Sequence, residues 1–508
     1  MKKSLLLFSL ATSALPVWAQ ADARPNVIVL LADDLGFGDL SCYGATRVST
    51  PAVDSVAAQG VRMTDFHACA STSTPSRYAL LTGEYPFRRR GTDVAAGNAA
   101  SIIDPSTYTL ADLFREAGYA TAAIGKWHLG LGSRTGEQDW NVGLDTTPRD
   151  LGFDYHYIMA ATADRVPCVF IEQGRIANYD PTVPVEVSYR QNFAGEPTGR
   201  SHPQLLTKLR PSHGHDQSIV NGISRIGYMR GGGQALWKDE NIADSIAAHA
   251  VGFIERNATR PFFLYLCTND VHVPRYPHER FRGQSVMGLR GDAILQFDDT
   301  VRQLTATLRR LGLEENTLLI ITSDNGPVLD DGYADRAVEL AGTHQPGGHW
   351  RGGKYSAFEA GSVVPFIVRW PKQVGGGQVS GVLGSQIDFL STMAELLGRQ
   401  TLPAGSAPDS RRQLPQWLGK SRRDCPYTIT MAANRSLQVR QGKWKYIEPS
   451  QGGPIVSWGP QIETGYLGTP QLYDVRRNAF EGNNEAERRP KVLRQLQRLL
   501  EQVRKGFR

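Results

Sequence analysis

Uninterrupted apolar runs alternate along this chain with stretches in which apolar residues recur every three or four positions. Asn26-Val27-Ile28-Val29-Leu30-Leu31-Ala32 has no polar position inside it, which predicts a strand buried on both faces, as in a parallel sheet. Ala120–Gly125, Pro261–Leu266 and Thr317–Thr322 have the same character, and Val61–Phe66 reads as a further strand. Between them, Pro51–Gly60, Leu110–Ala117, the stretch carrying Ile242, Ile246, Ala250 and Phe253, and Asp292–Leu311 show helical spacing. Strand and helix alternate, so the main domain is expected to be α/β, with a mostly parallel central sheet flanked by helices.

The alternation lapses between about Trp140 and Gly233 into Gly, Pro, Asn and charged residues, which suggests a substrate-facing insert. From Leu402 the composition turns to Pro, Ser and Arg, as in a linker. Beyond it Tyr427–Met431, Ser436–Arg440 and Lys443–Ile447 predict short strands, and Leu493, Leu496, Leu500 and Val503 line one face of a last helix. The expected organisation is therefore a signal peptide over 1–19, a catalytic domain over 20–401, a linker over 402–424 and a small α+β subdomain over 425–508, with an antiparallel sheet and a terminal helix.

Met1-Lys2-Lys3 followed by a short apolar run and Val17-Trp18-Ala19 predicts a secretory leader cut after Ala19, too short to anchor in a bilayer. The mature protein is then expected to pass the export machinery into the periplasm or medium, with no stable membrane anchor. Loss of residues 1–19 removes two lysines and no acids, so the formal charge falls from +6 to +4, far short of a nucleic-acid footprint. The five cysteines are scattered without a C-x-x-C pair, which indicates neither a zinc knuckle nor a disulfide scaffold.

Candidate chemistry sits where strands end, and in an open parallel sheet those ends share one edge. Asp33-Asp34 follows the first strand and Asp324-Asn325 follows Thr317–Thr322. Four hard oxygen donors from two strand ends suit Ca2+ or Mg2+, although either pair alone is as readily a turn or a helix cap. Lys126 and His128 follow another strand, His272 a third, and Lys354 lies after Gly352-Gly353, where the backbone could approach an anion closely. Ser73 precedes Pro75 at the start of a helix, in the positive field of exposed N–H groups.

Ser73-Thr74-Pro75-Ser76-Arg77, with Thr82-Gly83 after a short helical run, closely resembles the signature of the sulfatase family of the alkaline phosphatase superfamily. Leu31–Asp34, Gly125–His128, Ser323–Gly326 and Gly352–Lys354 accompany it in the family's order, so the resemblance spans Pro25 to about Arg504. It implies a sulfuric ester hydrolase in which Ser73 is oxidised to formylglycine. Asp33, Asp34, Asp324 and Asn325, with residue 73, would bind Ca2+ rather than Mg2+. Arg77, Lys126 and His128 would hold the hydrated aldehyde, and His272 and Lys354 would contact the sulfate, with His272 as the acid. Ser in place of Cys at position 73 implies a radical-type maturase of bacteria.

Export, this maturation type and the polar insert together suggest a carbohydrate sulfatase acting on sulfated glycans. Arg165, His213, His215, Arg275 and His344 are the candidate sugar contacts, because planar, multiply donating side chains suit sugars and carboxylates. His213-Gly214-His215 reads equally as a metal pair or a polar loop. Two alternatives stay open: a phosphate or phosphonate ester hydrolase of the same superfamily, and a sulfated-glycan-binding protein whose Ser73 is never oxidised.

Overall fold

The computed structural model describes residues 24–506; the expected leader lies outside them. Its centre is a ten-stranded sheet in the order Gln378–Ser380, Val61–Met63, Phe366–Arg369, Thr317–Ser323, Asn26–Ala32, Phe262–Cys267, Ala120–Lys126, Tyr155–Met159, Phe170–Glu172, Arg175–Ile176. The four apolar runs recognised in the sequence are the four adjacent central strands, mutually parallel and wholly buried. Burial on both faces is what such runs require, and two groups of helices supply it. Pro51–Ala58 and Ile242–Arg256 pack on Gly288–Arg310, while Ser73–Thr82, Leu110–Glu116 and Phe389–Leu396 pack on one another.

Two expectations need correction, and one strand was not anticipated. The insert is not merely loop: Tyr155–Met159, Phe170–Glu172 and Arg175–Ile176 extend the central sheet, too short and mixed in composition to show a period. Phe366–Arg369 is an antiparallel strand within the sheet. Residues 402–424 are not a free linker, since Leu414–Trp417 is a helical turn whose Trp417 is buried against Phe66, Phe366 and Phe389. Pro and Ser there report irregular backbone, not absence of packing.

The C-terminal sheet has four antiparallel strands, the three expected and Gln471–Asp474, with the Pro490–Lys505 helix on it. It buttresses the segment that leads to Ser73. Ile429, Met431, Leu437, Leu496 and Leu500 share a core with Cys69, Ala70 and Ala79, and the Met431 backbone exchanges hydrogen bonds with Cys69 and Ser71, just ahead of Ser73. No helix among the described residues is long and apolar enough to cross a membrane.

A buried charge cluster joins the two parts. Arg440 bridges Asp65 (2.8 Å) and Glu359 (2.6 Å), and Lys445 lies between Glu359 (3.1 Å) and Glu481 (2.8 Å). Asp65, His67 and Glu359 are close enough to chelate a metal, but Arg440 already supplies their counter-charge. Two cations face three carboxylates, and Glu481 is the one left short: burial, reinforced by Glu359 and opposed by Lys445, pushes it up to about 7. A raised carboxyl stabilises the fold fully below its unfolded pKa of about 4.3, and the contribution is lost as pH rises through about 7. Glu481→Gln should therefore flatten the fall of Tm between pH 5 and 8 and raise Tm at pH 8 by about 2–4 °C. An unchanged slope in pH-resolved calorimetry would remove Glu481 as its source.

Candidate active site

The signature stretch folds as a helix because each of its residue types meets a local demand. Thr72, extended at φ −145°, leads into Ser73–Thr82, and Pro75 sits in the first turn, where no intrahelical N–H is needed. The Ser76 hydroxyl donates to the Ala70 carbonyl and accepts from its N–H, both at 3.0 Å, which folds the approach back on the helix. Gly83, at φ 65°, ends it with an N–H donated to the Ala79 carbonyl. All ten helical residues are buried, so a helix with a charged residue in its middle lies inside the protein.

That charge, Arg77, explains the burial. Its Nε and Nη2 donate to Asp324 Oδ2 at 3.0 and 2.8 Å, and its Nη1 donates to the Lys126 carbonyl at 3.1 Å. Lys126 Nζ lies 2.6 Å from Asp33 Oδ1 and 3.7 Å from Asp324 Oδ2. Lys354 Nζ joins Asp34 Oδ2 (2.8 Å) to Asp331 Oδ2 (2.9 Å). Asn325 Nδ2 donates to Asp34 Oδ1 at 2.7 Å, and His272 Nε2 is 3.8 Å from Asp34 Oδ2. The strand-end candidates thus meet in one buried cluster, and Ser73 Oγ enters its edge 3.1 Å from His128 Nδ1.

The backbone is bent to achieve this. Asp34 (φ 57°), His128 (57°), Val271 (78°) and Tyr355 (77°) all adopt the left-handed region, which L side chains avoid unless the surroundings enforce it. Gly352 and Gly353 serve the chain's own packing: a Cβ would come within 2.6 Å of Ser356 and 2.7 Å of the Pro327 carbonyl, respectively. Their requirement is met without an anion.

The electrostatics are unbalanced. Asp33, Asp34, Asp324 and Asp331 face Arg77, Lys126 and Lys354. Burial, with Asp324 and Asp34 adding repulsion, drives the Asp33 carboxyl well above its usual range although Lys126 is beside it. Asp33 Oδ2 and Asn325 Oδ1 are buried with no hydrogen-bond partner. Unpartnered oxygens within a set of hard donors fit a divalent cation. Burial, then Lys354 and Lys126, lowers His272 well below the ordinary imidazole value, and burial and Lys126 do the same to His128.

The expected sugar contacts divide. Arg165 Nη1 holds Asp164 at 3.1 Å, and the side chain is partly exposed. His215 Nε2 is 3.0 Å from the same carboxylate, and His213 packs on Gly459, its Nε2 buried and unpartnered. Arg275 is not a free contact. Its guanidinium donates to Val271, Val328 and Leu329 carbonyls and to Asp335, bracing the strained turn before His272. His344 is likewise spent, 2.7 Å from Asp39, which Arg290 clamps with two hydrogen bonds of 2.7 Å. Sequence reading missed Asp331 and Tyr355, whose hydroxyl donates to Asp331 at 2.8 Å, and the half-exposed Trp458, which meets Tyr355 edge-on at 4.8 Å. Asp330-Asp331-Gly332 looks like a plain turn, and nothing local marks Trp458 as near the site.

A doubly wound sheet whose strand ends converge on buried carboxylates, cations and a helix-borne hydroxyl defines a hydrolase of the alkaline phosphatase type. The sequence profile of the Sulfatase family matches residues 25–399, so the chain belongs to the sulfatases, the hydrolases of sulfuric esters. It is 50% identical over 485 residues to the N-acetylgalactosamine-6-O-sulfatase of Bacteroides thetaiotaomicron, covering 96% of this chain and 94% of that one. A solved B. thetaiotaomicron 6S-sulfatase from work on glycosaminoglycan metabolism superposes with a TM-score of 0.93 at 50% identity, covering 95% of this chain and all of that one. The steryl-sulfatase of Rattus norvegicus is 31% identical over 427 residues, 79% of this chain and 71% of that one.

Proposed function

We propose that this protein hydrolyses a sulfate ester on a glycan sugar, with 6-O-sulfated N-acetylgalactosamine the first substrate to try, using an oxidised Ser73 and a bound Ca2+ ion. The observation that carries the chemistry is the convergence of Ser73, His128, Lys126, Arg77 and Lys354 on the Asp33, Asp34, Asp324 and Asn325 cluster. Relatives at about 31% identity include a steryl-sulfatase, so family membership alone leaves the alcohol open. What favours a sugar is the 50% identity held across nearly the full length of both chains.

Asp33, Asp34, Asp324 and Asn325 would hold the ion, which when bound supplies positive charge to the sulfate oxygens. With four carboxylates against three cationic side chains, a divalent ion leaves one positive charge, which a sulfate monoester offsets. Formylglycine at position 73 would supply a hydrated aldehyde, one hydroxyl to attack sulfur and another whose deprotonation expels sulfate. Lys126 fixes Asp33 beside Asp324, and Lys354, held by Asp331, directs its ammonium toward Asp34 and an incoming anion. His128 Nε2 faces the Ala95 carbonyl at 2.9 Å, which can only accept, so that nitrogen carries the proton and Nδ1 is left to take one from residue 73.

His272 is fixed in the opposite sense. Its Nδ1 donates to the Val273 carbonyl at 2.6 Å, leaving Nε2 to face the cluster. The negative charge of a bound sulfate favours the protonated ring, which then gives its proton to the departing sugar oxygen. His272→Ala should lower kcat/KM on a sugar sulfate by about 10²–10⁴ and on an activated aryl sulfate by less than about tenfold. Equal losses on the two would take the acid role from His272. The substrate itself is tested by sulfate release from a panel of galactosamine and glucosamine sulfates, with release from the galactosamine 6-sulfate alone the expected result.

On the rim, Arg165, His215 and Trp458 would meet the sugar, the first two steadied by Asp164. A cavity of about 590 Å3 walled by Asp330, Arg336, Pro346 and Ile462 opens next to Gly352 and offers room for sugar beyond the sulfated unit. The reading carries with it a radical-type maturase for Ser73 and export to the periplasm or medium.

A further inference from the structure

The second residue of the signature, Thr74, is fully buried and makes two side-chain hydrogen bonds, neither within its own helix. Its Oγ1 donates to the His128 carbonyl at 3.0 Å and accepts from the Ala95 N–H at 3.1 Å. These two residues also set the His128 imidazole. His128 carries the ring on a left-handed backbone (φ 57°), and the Ala95 carbonyl, 2.9 Å from Nε2, fixes which nitrogen is protonated. One hydroxyl therefore ties the helix bearing Ser73 both to the base of the imidazole and to the group that selects its tautomer.

We propose that Thr74 is a positioning residue, whose hydroxyl holds the unprotonated Nδ1 of His128 on the side chain of residue 73. The N–H of the left-handed His128 donates to the Ala160 carbonyl at 3.2 Å and the Thr74 hydroxyl engages its carbonyl, so the Thr74 bond completes the hold on a strained residue that the first bond alone leaves free on its carbonyl side. Without it the ring can swing or exchange tautomers, and Nδ1 no longer meets residue 73 at 3.1 Å. Only the hydroxyl makes these bonds, so Val, which matches the shape, removes the function and Ser keeps it. The kinetic consequence rests on the sulfatase reading above; the tautomer consequence does not.

Thr74→Val and Thr74→Ser are compared in two ways. Rates on a sulfated sugar, normalised to the oxidised fraction of Ser73 measured by mass spectrometry, should show kcat about tenfold or more lower in the Val variant, KM within about twofold, and Ser within about threefold of the parent. Nitrogen-15 NMR of selectively histidine-labelled, unoxidised protein, with His128 assigned by its loss in His128→Asn, should show one tautomer, protonated at Nε2, in the parent and the Ser variant. The Val variant should show exchange or a mixture. A single Nε2-protonated tautomer with undiminished kcat in the Val variant would overturn the proposal, as would equal damage in the Ser variant. Should the Val protein not accumulate, Thr74→Ala takes its place with the same outcomes. If fully oxidised parent releases no sulfate, the sulfatase reading fails while the NMR comparison still decides the role of Thr74.

Discussion

Ser73→Ala should abolish sulfate release, by on the order of 10⁴-fold or more, while leaving Tm within about 2 °C of the parent. The activity loss follows from chemistry: alanine offers no oxygen to oxidise and none for His128 Nδ1 to approach. The stability is retained because the Ser73 hydroxyl makes no hydrogen bond that holds the helix. Thr72 leads into it, Ser76 clasps its approach, Arg77 pins its middle to Asp324 and Gly83 closes its end. Sulfate release at near-parental rates would put the nucleophile elsewhere, and a collapse of Tm would make Ser73 part of the scaffold. Calorimetry and an ion-chromatographic sulfate assay read the two arms separately.

Adding Ca2+ to chelator-treated protein should raise stability by about 3–4 kcal/mol at a hundred- to thousandfold excess over Kd, a rise in Tm of several degrees. The source is the imbalance in the cluster: Asp33 is driven up by burial and by Asp324 and Asp34, and Asp33 Oδ2 and Asn325 Oδ1 have no partners. A divalent cation relieves both at once. Mg2+ should act more weakly, because it gives up its waters reluctantly and demands an octahedron that carboxylates fixed by Arg77, Lys126 and Lys354 are not free to form. Asn325→Ala should blunt the Ca2+ response without abolishing folding. A Tm indifferent to both Ca2+ and chelator would show that the three cationic side chains suffice to neutralise the cluster.

The central sheet was legible because its strands are buried on both faces, which leaves a sequence no choice but continuous Val, Ile and Leu. Asn26–Ala32 and Thr317–Ser323 were readable almost to the residue. The strands that flank the central four, Tyr155–Met159 and Phe366–Arg369, were not, since a short strand leaves too few positions to show a period. Strand-end chemistry was equally legible, because parallel strands bring Asp33, Lys126, His272 and Asp324 to one edge whatever the loops do. The rim was harder. Arg275 and His344 have the side chains a sugar would want, yet both are committed inside, one to three carbonyls and Asp335, the other to Asp39. Residue type reveals donors; only the fold reveals which are already engaged. Trp458 and Asp331 show the converse, ordinary loop residues given a place by contacts with Tyr355 and Lys354.

The C-terminal part changes meaning in the same way. Its sheet lies directly behind Cys69–Ser71, so the segment leading to Ser73 is held by Met431 rather than by the catalytic domain alone. The charge cluster of Arg440, Lys445, Glu359 and Glu481 fastens that support. Catalytic geometry and subdomain docking are therefore linked through a single short segment.

Residue 73 is assigned as a converted nucleophile acting on a sulfated sugar. The most direct test is sulfate released from N-acetylgalactosamine 6-sulfate by protein co-produced with a Ser-type maturase, plotted against the fraction of the Ser73 peptide that has lost two hydrogens. A line through the origin is expected, with no release from unconverted protein or from Ser73→Ala. Release that is independent of conversion, or none from fully converted protein on any sulfated sugar of the panel, would contradict it.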